Sequence, residues 1–248
     1  MPDSVLGVIP ARYGSRRFEG KPLAMLCGKP LIQHVYERAS GCELFRRLVV
    51  ATDSGRIRTA VEGFGGVALM TSTDHLSGTD RVAEVAAGDD SAIVVNVQGD
   101  EPFVNATVLE QVIRPLLDPE GPPMSTLRKR ILDPALLDDP NVVKVVTGRD
   151  GDAIYFSRSP IPYPGRCVPH SAWEHIGIYA YRREFLLAFS RMRPTELEGV
   201  EGLEQLRALE HGHRIAAVPT EDHVGLSVDT PDDLERARIM LVNAEARC

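Results

Sequence analysis

Short apolar segments that alternate with amphipathic ones constrain the fold of the first half of this chain more than any other feature. They predict strands at Val5–Ile9, Leu48–Thr52, Val67–Met70 and Ala92–Val97. Apolar residues at helical spacing predict helices at Leu31–Ala39, Ile57–Phe64, Thr79–Ala87 and Val108–Leu117. Buried strands separated by helices form parallel sheets, and their crossovers are right-handed. We therefore predict an α/β fold with a doubly wound, mostly parallel sheet of the Rossmann-like type.

The second half of the chain has a more β-rich pattern. It predicts strands at Met124–Arg130, Val142–Thr147, Ala153–Ser157 and His175–Tyr181, followed by helices at Leu203–His211 and Pro231–Ala244. The last helix has a clear start, with Thr230 as N-cap and Asp233 three residues later. Since no repeat or linker interrupts the sequence, we predict one domain over residues 1–248. Its β-rich excursion, at roughly 124–182, is suited to carry a dimer contact.

Composition excludes several classes of protein. The 28 Lys and Arg against 35 Asp and Glu give a net charge of −7, which argues against a general nucleic-acid binder. No apolar run approaches the roughly 20 residues that cross a bilayer, and the first ten residues resemble a strand rather than a signal peptide. The four cysteines are too scattered for a metal site or a redox pair. We therefore expect a cytoplasmic protein without disulfides, membrane insertion or a nucleic-acid partner.

A basic, glycine-containing loop follows the first predicted strand. Between Pro10 and Pro22 it contains two glycines and four cations, which are Arg12, Arg16, Arg17 and Lys21. Ligands of open α/β sheets bind at the carboxyl ends of strands, where backbone N–H groups and cations meet phosphate oxygens. The loop therefore predicts a polyphosphate site. It matches neither the dinucleotide fingerprint nor the P-loop, which argues against a nicotinamide-dependent oxidoreductase.

Two acidic segments predict a metal site at the same edge of the sheet. Asp100 and Glu101 follow the most apolar strand, and Asp229 precedes the last helix. Magnesium commonly uses one or two protein carboxylates together with substrate phosphates, so Asp100 and Asp229 are a plausible pair. Asp229 is equally explained as an extra carboxylate at a helix start. The spacing alone leaves both explanations open.

Six segments, in sequence order, closely resemble one family. They are Ile9–Leu23, Ser77–Arg81, Val95–Pro102, His175–Tyr179, Leu203–Arg207 and Val228–Leu234. The family is that of the 3-deoxy-manno-octulosonate cytidylyltransferases, the CMP-Kdo synthetases of lipopolysaccharide assembly. The resemblance implies a nucleotidyltransferase fold with a dimerising β-rich insertion. It also implies a homodimer that uses CTP, the acidic sugar Kdo and Mg²⁺.

The resemblance also implies roles for individual residues. Those matched to nucleotide binding are Ala11, Arg12, Ser15, Arg17, Lys21, Ser77, Gly78, Arg81 and Gln98. The matched magnesium ligands are Asp100 and Asp229, and with Lys21 they form the catalytic set. Those matched to the sugar-acid pocket are Arg158, His175, Tyr179, Glu204 and Gln205. Without the family match, His175 alone would more often be a structural residue.

Several positions depart from the family pattern. Glu19 and Glu196 stand where proline is usual, and Glu174 stands where a basic residue is common. The loop before His175 is short, so we do not match Arg166 to a substrate arginine. These departures bear on the sugar, and an alternative substrate is a related 2-keto sugar acid, either amino-Kdo or a sialic-type acid. A further alternative, from another class, is a non-catalytic nucleotide-binding protein.

Overall fold

The computed structural model describes residues 4–14, 17–163, 171–223 and 225–245. The strands are β1 Val5–Ala11, β2 Met25–Leu26, β3 Lys29–Pro30, β4 Phe45–Thr52, β5 Ala68–Met70, β6 Ile93–Asn96, β7 Met124–Arg130, β8 Lys144–Thr147, β9 Ala153–Ser157, β10 Trp173–Arg182 and β11 Ile215–Pro219. The helices are α1 Leu31–Ala39, α2 Gly55–Gly63, α3 Gly78–Ala87, α4 Ala106–Leu117, α5 Ala135–Asp138, α6 Arg183–Phe189, α7 Glu196–Glu201, α8 Gln205–Glu210 and α9 Pro231–Glu245. A short 3-10 turn occupies Lys21–Leu23.

The chain divides into two compact units. The first comprises residues 1–110 and 223–248, and the second comprises residues 111–222. The predicted excursion at 124–182 belongs to the second unit. The organisation as one domain with a β-rich excursion stays a prediction.

The first unit is built on a parallel sheet in the order β6-β1-β4-β5. Strand β1 is central, and its apolar residues Val5, Leu6, Val8 and Ile9 are at most 1% exposed. Helices on such a sheet cover it from water, which explains the near-continuous apolar strands. The predicted mostly parallel α/β sheet is confirmed. It places the carboxyl ends of β1 and β6, and therefore the loops that follow them, at one edge.

The second unit is a mixed sheet centred on β7. Strand β10 pairs with β7 antiparallel, β11 pairs with β7 parallel, and β8 and β9 form an antiparallel pair. Lys144 on β8 is fully buried. Its Nζ donates to the backbone carbonyls of Asp139, Val142 and Arg158 at 2.5–2.9 Å, and so joins the segment before β8 to the residue after β9. Burial lowers the pKa of Lys144, and the three carbonyls replace its lost hydration.

The sequence missed several short elements and some boundaries. The hairpin of β2 and β3, the helices α5, α6 and α7, and strand β11 had not been predicted. Strand β4 begins at Phe45 rather than Leu48, because backbone pairing with β1 continues where the Arg46 and Arg47 side chains are exposed. Strand β8 begins at Lys144 rather than Val142. Elements this short depend on their neighbours more than on their own residue pattern.

Candidate active site

A cavity of about 530 Å³ opens at the carboxyl edge of the parallel sheet in the first unit. Its walls are the loop after β1, the segment before α3, the segment after β6, and Asp229. The residues that line it are Pro10, Ala11, Arg12, Arg17, Lys21, Pro22, His75, Leu76, Ser77, Gly78, Arg81, Gln98, Gly99, Asp100 and Asp229. Every described residue that the sequence assigned to the nucleotide or the metal lies on this wall. Ser15 lies outside the described residues.

Lys21 joins the two carboxylates that the sequence paired. Its Nζ lies 2.8 Å from Asp100 Oδ2 and 3.0 Å from Asp229 Oδ1. The three side chains are 14%, 27% and 33% exposed, so the group is partly shielded from water but open to the cavity. Asp100 and Asp229 are 129 positions apart, yet both reach one nitrogen atom. The structure therefore brings the predicted catalytic set together.

The position of Asp229 follows from the segment that carries it. The Val228 N–H donates to the Asp100 carbonyl at 2.8 Å, which ties the two acidic segments together. Val228 is fully buried in an apolar cluster that also contains Leu26, Phe103 and Leu241. This cluster holds the start of α9 against the first unit and so fixes the carboxylate at the cavity wall.

Capping of α9 does not use the Asp229 carboxylate. Thr230 Oγ1 accepts from the Asp233 N–H at 3.2 Å, and Asp233 Oδ2 accepts from the Thr230 N–H at 3.0 Å. This reciprocal pair is the capping box that the sequence predicted. The Asp229 carboxylate instead binds Lys21 and Arg17, and Arg17 lies 3.0 Å from its Oδ1. The Asp229 carboxylate therefore has bonding partners in the cavity wall, apart from the capping box.

Two cations of the basic loop, Arg12 and Arg17, face solvent at the mouth of the cavity. Arg12 is exposed, and the Arg17 side chain is 68% exposed. The Gly20 N–H donates to the Tyr13 carbonyl at 2.9 Å, so the loop closes on itself. Gly20 has a φ of 69°, a conformation that favours glycine. Glu19, which stands where the family usually has proline, is exposed to solvent. It does not line the cavity.

The N-terminus of α3 opens at the cavity. Ser77 is its N-cap and Gly78 its first residue, and a capping box joins Ser77 to Asp80 at 3.1 and 3.2 Å. The first N–H groups of a helix lack intrahelical partners and carry partial positive charge, which favours a negatively charged ligand. Ser77 therefore already has a structural role, and its hydroxyl oxygen accepts from the Asp80 N–H.

Arg81 was matched to nucleotide binding, but its side chain is buried and bonded to other residues of the protein. Its side chain is 4% exposed, and its NH2 donates to Asp53 Oδ2 at 2.7 Å. A second nitrogen, NH1, bonds Thr71 Oγ1 and the Ser72 carbonyl. Arg81 lines the cavity, but its guanidinium is engaged by the protein. The residue fixes the segment that precedes α3.

The sequence missed two wall residues in that segment. His75 Nε2 and the Ser72 N–H both bond the same oxygen of Glu84, which lies on α3, and the second bond is 2.9 Å long. The hydrogen bond from His75 lowers the pKa of Glu84. Leu76 is 91% exposed although it is apolar. The available signal was position, because both residues closely precede Ser77, which the resemblance matched to nucleotide binding.

Close approach of two strand ends accounts for a glycine in the wall. A Cβ atom on Gly99 would lie 2.7 Å from the Pro10 carbonyl oxygen, which is part of the backbone and cannot swing away. Gly99 stands between Gln98 and Asp100. Glycine therefore lets the segment after β6 pack directly against the end of β1.

The predicted sugar-acid residues lie in the second unit. His175 on β10 has its Nε2 3.0 Å from Thr126 Oγ1, and its ring packs edge-on against Phe156 at 5.0 Å. Burial lowers the pKa of His175 to about 3, so the ring is neutral at pH 7. The Tyr179 ring lies 5.5 Å from that of His175. Burial, and then the charge of Glu204, raises the pKa of Tyr179 well above its ordinary value.

The remaining members of this set differ in how they are bonded. Gln205 is 4% exposed, and its Nε2 has no hydrogen-bond partner among the described residues. Glu204 lies 3.7 Å from Arg207. The Arg158 guanidinium donates to the carbonyls of Glu201 and Pro140 at 2.8 and 2.9 Å. Gln205 thus retains a free donor, whereas Arg158 is anchored to the backbone. Arg166 lies outside the described residues.

Comparison with known proteins identifies the family. The sequence matches the cytidylyltransferase family over residues 6–215. A 3-deoxy-manno-octulosonate cytidylyltransferase from Solibacter usitatus is 51% identical, over 95% of this chain and 94% of that protein. The chain belongs to the 3-deoxy-manno-octulosonate cytidylyltransferases. A solved structure of CMP:2-keto-3-deoxy-manno-octonic acid synthetase complexed with CTP is 43% identical. It covers 97% of this chain and 99% of that one, with a TM-score of 0.93.

More distantly related structures share the fold of this cytidylyltransferase. A cytidylyltransferase from Leptospira borgpetersenii is 16% identical, with a TM-score of 0.65 over 97% of this chain and 87% of that one. This likeness concerns the fold alone. Among residues 4–14, 17–163, 171–223 and 225–245, no helix combines the length and apolar character that a bilayer crossing requires.

The donor atoms at Asp100 and Asp229 fit magnesium. Both are carboxylate oxygens that converge on one point, where the Lys21 ammonium now supplies the positive charge. Across the described part of the chain, no three His, Cys, Asp or Glu side chains gather to form a cage. Magnesium does not need one, since it commonly takes one or two carboxylates and completes its shell with water and substrate phosphates.

Proposed function

We propose that the protein transfers CMP from CTP to the anomeric hydroxyl of 3-deoxy-D-manno-octulosonate and releases pyrophosphate. The observation that carries this proposal is the convergence of Lys21, Asp100 and Asp229 on the wall of a cavity that also presents a basic loop. Two further observations support the proposal. The chain belongs to the 3-deoxy-manno-octulosonate cytidylyltransferases, and the synthetase of 43% identity was solved in complex with CTP.

The residues of the cavity suit the triphosphate of CTP. Arg12 and Arg17 on the loop, with the N–H groups at the start of α3, offer charge and donors to phosphate oxygens. The sugar hydroxyl attacks the α-phosphorus, a new P–O bond forms, and the bond to pyrophosphate breaks as the hydroxyl proton passes to water. Lys21 provides positive charge for the departing pyrophosphate. Such a transfer needs positioning and charge neutralisation rather than a covalent enzyme intermediate.

We also propose Mg²⁺ as the cofactor, with Asp100 and Asp229 as its protein ligands. When bound, the ion would neutralise phosphate charge and activate the attacking hydroxyl. The carboxylates are already oriented toward one point, because Val228 and the capping box fix the segment that carries Asp229. The pair would therefore need little rearrangement to hold a cation.

The sugar acid is assigned to the residues of the second unit. A neutral His175, the Tyr179 hydroxyl and Gln205 Nε2, which has no partner in the described part of the chain, are suited to bond sugar hydroxyls. Assembly as a homodimer, a place in lipopolysaccharide synthesis and a cytoplasmic location belong to the same proposal. They rest on the family resemblance and on the scattered cysteines.

The experiment is a pyrophosphate-release assay with CTP, Mg²⁺ and a panel of acids that contains Kdo, amino-Kdo and a sialic acid. We expect turnover with Kdo, loss of turnover when the metal is chelated, and recovery on its return. Turnover with another acid and none with Kdo would overturn the substrate. Nucleotide binding without any turnover would favour the non-catalytic alternative.

Two variants test the site within that assay. Asp100→Asn and Asp229→Asn keep the side-chain shape and remove the charge, and we expect each to lower kcat by about 100-fold or more. Asp90→Asn is the matched control, since its side chain is 85% exposed and lies away from the cavity wall. Unchanged kcat in Asp100→Asn would show that the metal assignment is wrong.

A further inference from the structure

Arg128 on β7 is a partly buried arginine without an acidic partner among the described residues. Its guanidinium carbon lies 4.4 Å from the centre of the Trp173 ring, and its NH1 donates to Thr147 Oγ1 at 2.5 Å. Its Nε is buried and has no hydrogen-bond partner, and no bond from NH2 occurs in the described part of the chain. Burial is also what lowers its pKa, with no nearby carboxylate to oppose the shift. The edge formed by Nε and NH2 is thus unpaired.

Two other arginines of the second unit have acidic partners. Arg207 Nε donates to Glu198 at 2.8 Å, and Arg214 Nε donates to Asp152 at 2.5 Å. An unpaired cation removed from water is unfavourable, and stacking on an aromatic ring offsets that cost in part. Buried charges in native proteins are normally paired, so the unpaired edge of Arg128 points to an anion supplied from outside the chain.

The strand register places Arg128 beside the predicted sugar-binding histidine. Arg128 is directly opposite His175 in the antiparallel pairing of β7 and β10. Opposite residues project their side chains from the same face of a sheet, with Cβ atoms about 5 Å apart. Thr126, two positions earlier on that face, bonds His175 Nε2 at 3.0 Å. The guanidinium and the imidazole therefore share one surface.

We propose that Arg128 binds the carboxylate of the 2-keto sugar acid. This inference rests on the proposed function and deepens it. The chemistry fits, because a guanidinium pairs with a carboxylate through two parallel N–H donors on one edge. The Trp173 ring and Thr147 hold the guanidinium plane, so that its orientation is set before the ligand arrives. Arg158, by contrast, donates from Nε and NH1 to two backbone carbonyls.

The test compares Kdo with its methyl ester, which keeps the sugar and removes the negative charge. The wild-type enzyme should prefer the acid, as measured by kcat/KM. In Arg128→Met the KM for Kdo should rise by about 100-fold, the KM for CTP should stay within about twofold, and the preference for acid over ester should disappear. Arg128→Lys should retain part of the preference, since it keeps the charge but loses the two-donor edge.

Arg130→Met is the matched control, because Arg130 is an exposed arginine on the same strand that bonds Ser171. Thermal unfolding establishes that each variant is folded, and the acid-to-ester ratio of Arg128→Lys decides the matter if Arg128→Met does not fold. An unchanged ratio in a folded Arg128 variant would refute this inference alone. Failure of the wild-type enzyme to use Kdo would instead refute the proposed function.

Discussion

Replacing Lys21 with methionine tests the charge arrangement at the centre of the cavity. Methionine fills similar space without the ammonium, so Asp100 and Asp229 would face each other with the exposed Arg17 as the one remaining ion-pair partner among the described residues. We expect three effects. The free enzyme should lose stability, it should bind a divalent cation more readily, and turnover should fall because the departing pyrophosphate loses a cation.

The size of the stability loss follows from the contacts. Lys21 makes two charge-assisted hydrogen bonds, at 2.8 and 3.0 Å, and each such bond contributes about 1.5–3 kcal/mol when buried. Because the carboxylates are 27% and 33% exposed, water screens them, and we take about 2 kcal/mol for the pair of bonds together. For a chain of this length, that corresponds to a fall in Tm of about 4–8 °C.

Thermal unfolding with and without Mg²⁺ measures the first two effects. Lys21→Met should have the lower Tm in buffer and the larger rise in Tm when millimolar Mg²⁺ is added without nucleotide. Lys21→Arg retains a positive charge and serves as the control. A Tm within about 1 °C of the wild type, together with an equal response to Mg²⁺, would refute the reasoning.

Three further predictions concern other parts of the site. Asp53→Asn should lower the free energy of unfolding by about 3 kcal/mol in urea titrations, since it leaves the buried Arg81 guanidinium unpaired. Gly99→Ala should lower it by about 2 kcal/mol and raise the KM for CTP, because the added Cβ would lie 2.7 Å from the Pro10 carbonyl oxygen. Between pH 7 and pH 5 the wild type should lose about 2 kcal/mol more stability than His175→Gln. Burial lowers the folded pKa of His175 to about 3, so below pH 6.5 the unfolded state alone takes up the proton.

Each of these has a control or a refuting result. Arg58→Ala removes the exposed pair with Glu62 at 3.6 Å and should change stability by less than about 0.5 kcal/mol, unlike Asp53→Asn. Gly63→Ala adds a Cβ that meets nothing within 4 Å, so a cost equal to that of Gly99→Ala would contradict the close-approach argument. Parallel pH profiles for the wild type and His175→Gln would show that the ring is not shielded from water.

The sequence predicted best what local patterns determine. The alternation of apolar strands and helices in the first unit, and the capping box at Thr230 and Asp233, appear in the structure as expected. Periodicity and capping act over a few residues, so they can be read without knowledge of the fold. Helix α7 escaped detection, because none of its six residues is buried and it therefore shows no apolar periodicity.

Long-range pairing could not be derived from the residues alone. Asp100 and Asp229 were paired through the family resemblance, since their spacing left a capping role for Asp229 open. The buried contact between Arg81 and Asp53 joins side chains 28 positions apart. Glu84 accepts from the Ser72 N–H and bonds the His75 ring, 12 and 9 positions away, across the segment before α3. Only the three-dimensional arrangement shows that Arg81 is engaged by the protein as well as lining the cavity.

The tie between the Val228 N–H and the Asp100 carbonyl has a consequence for synthesis of the chain. A nascent polypeptide can form the parallel strands and the basic loop early, because all of them precede residue 100. Asp229 is synthesised 129 residues after Asp100, and with it the second carboxylate that Lys21 bonds. A polypeptide that stops between these two residues would therefore keep the basic loop and Asp100, while its Lys21 would lack one of its two carboxylate partners.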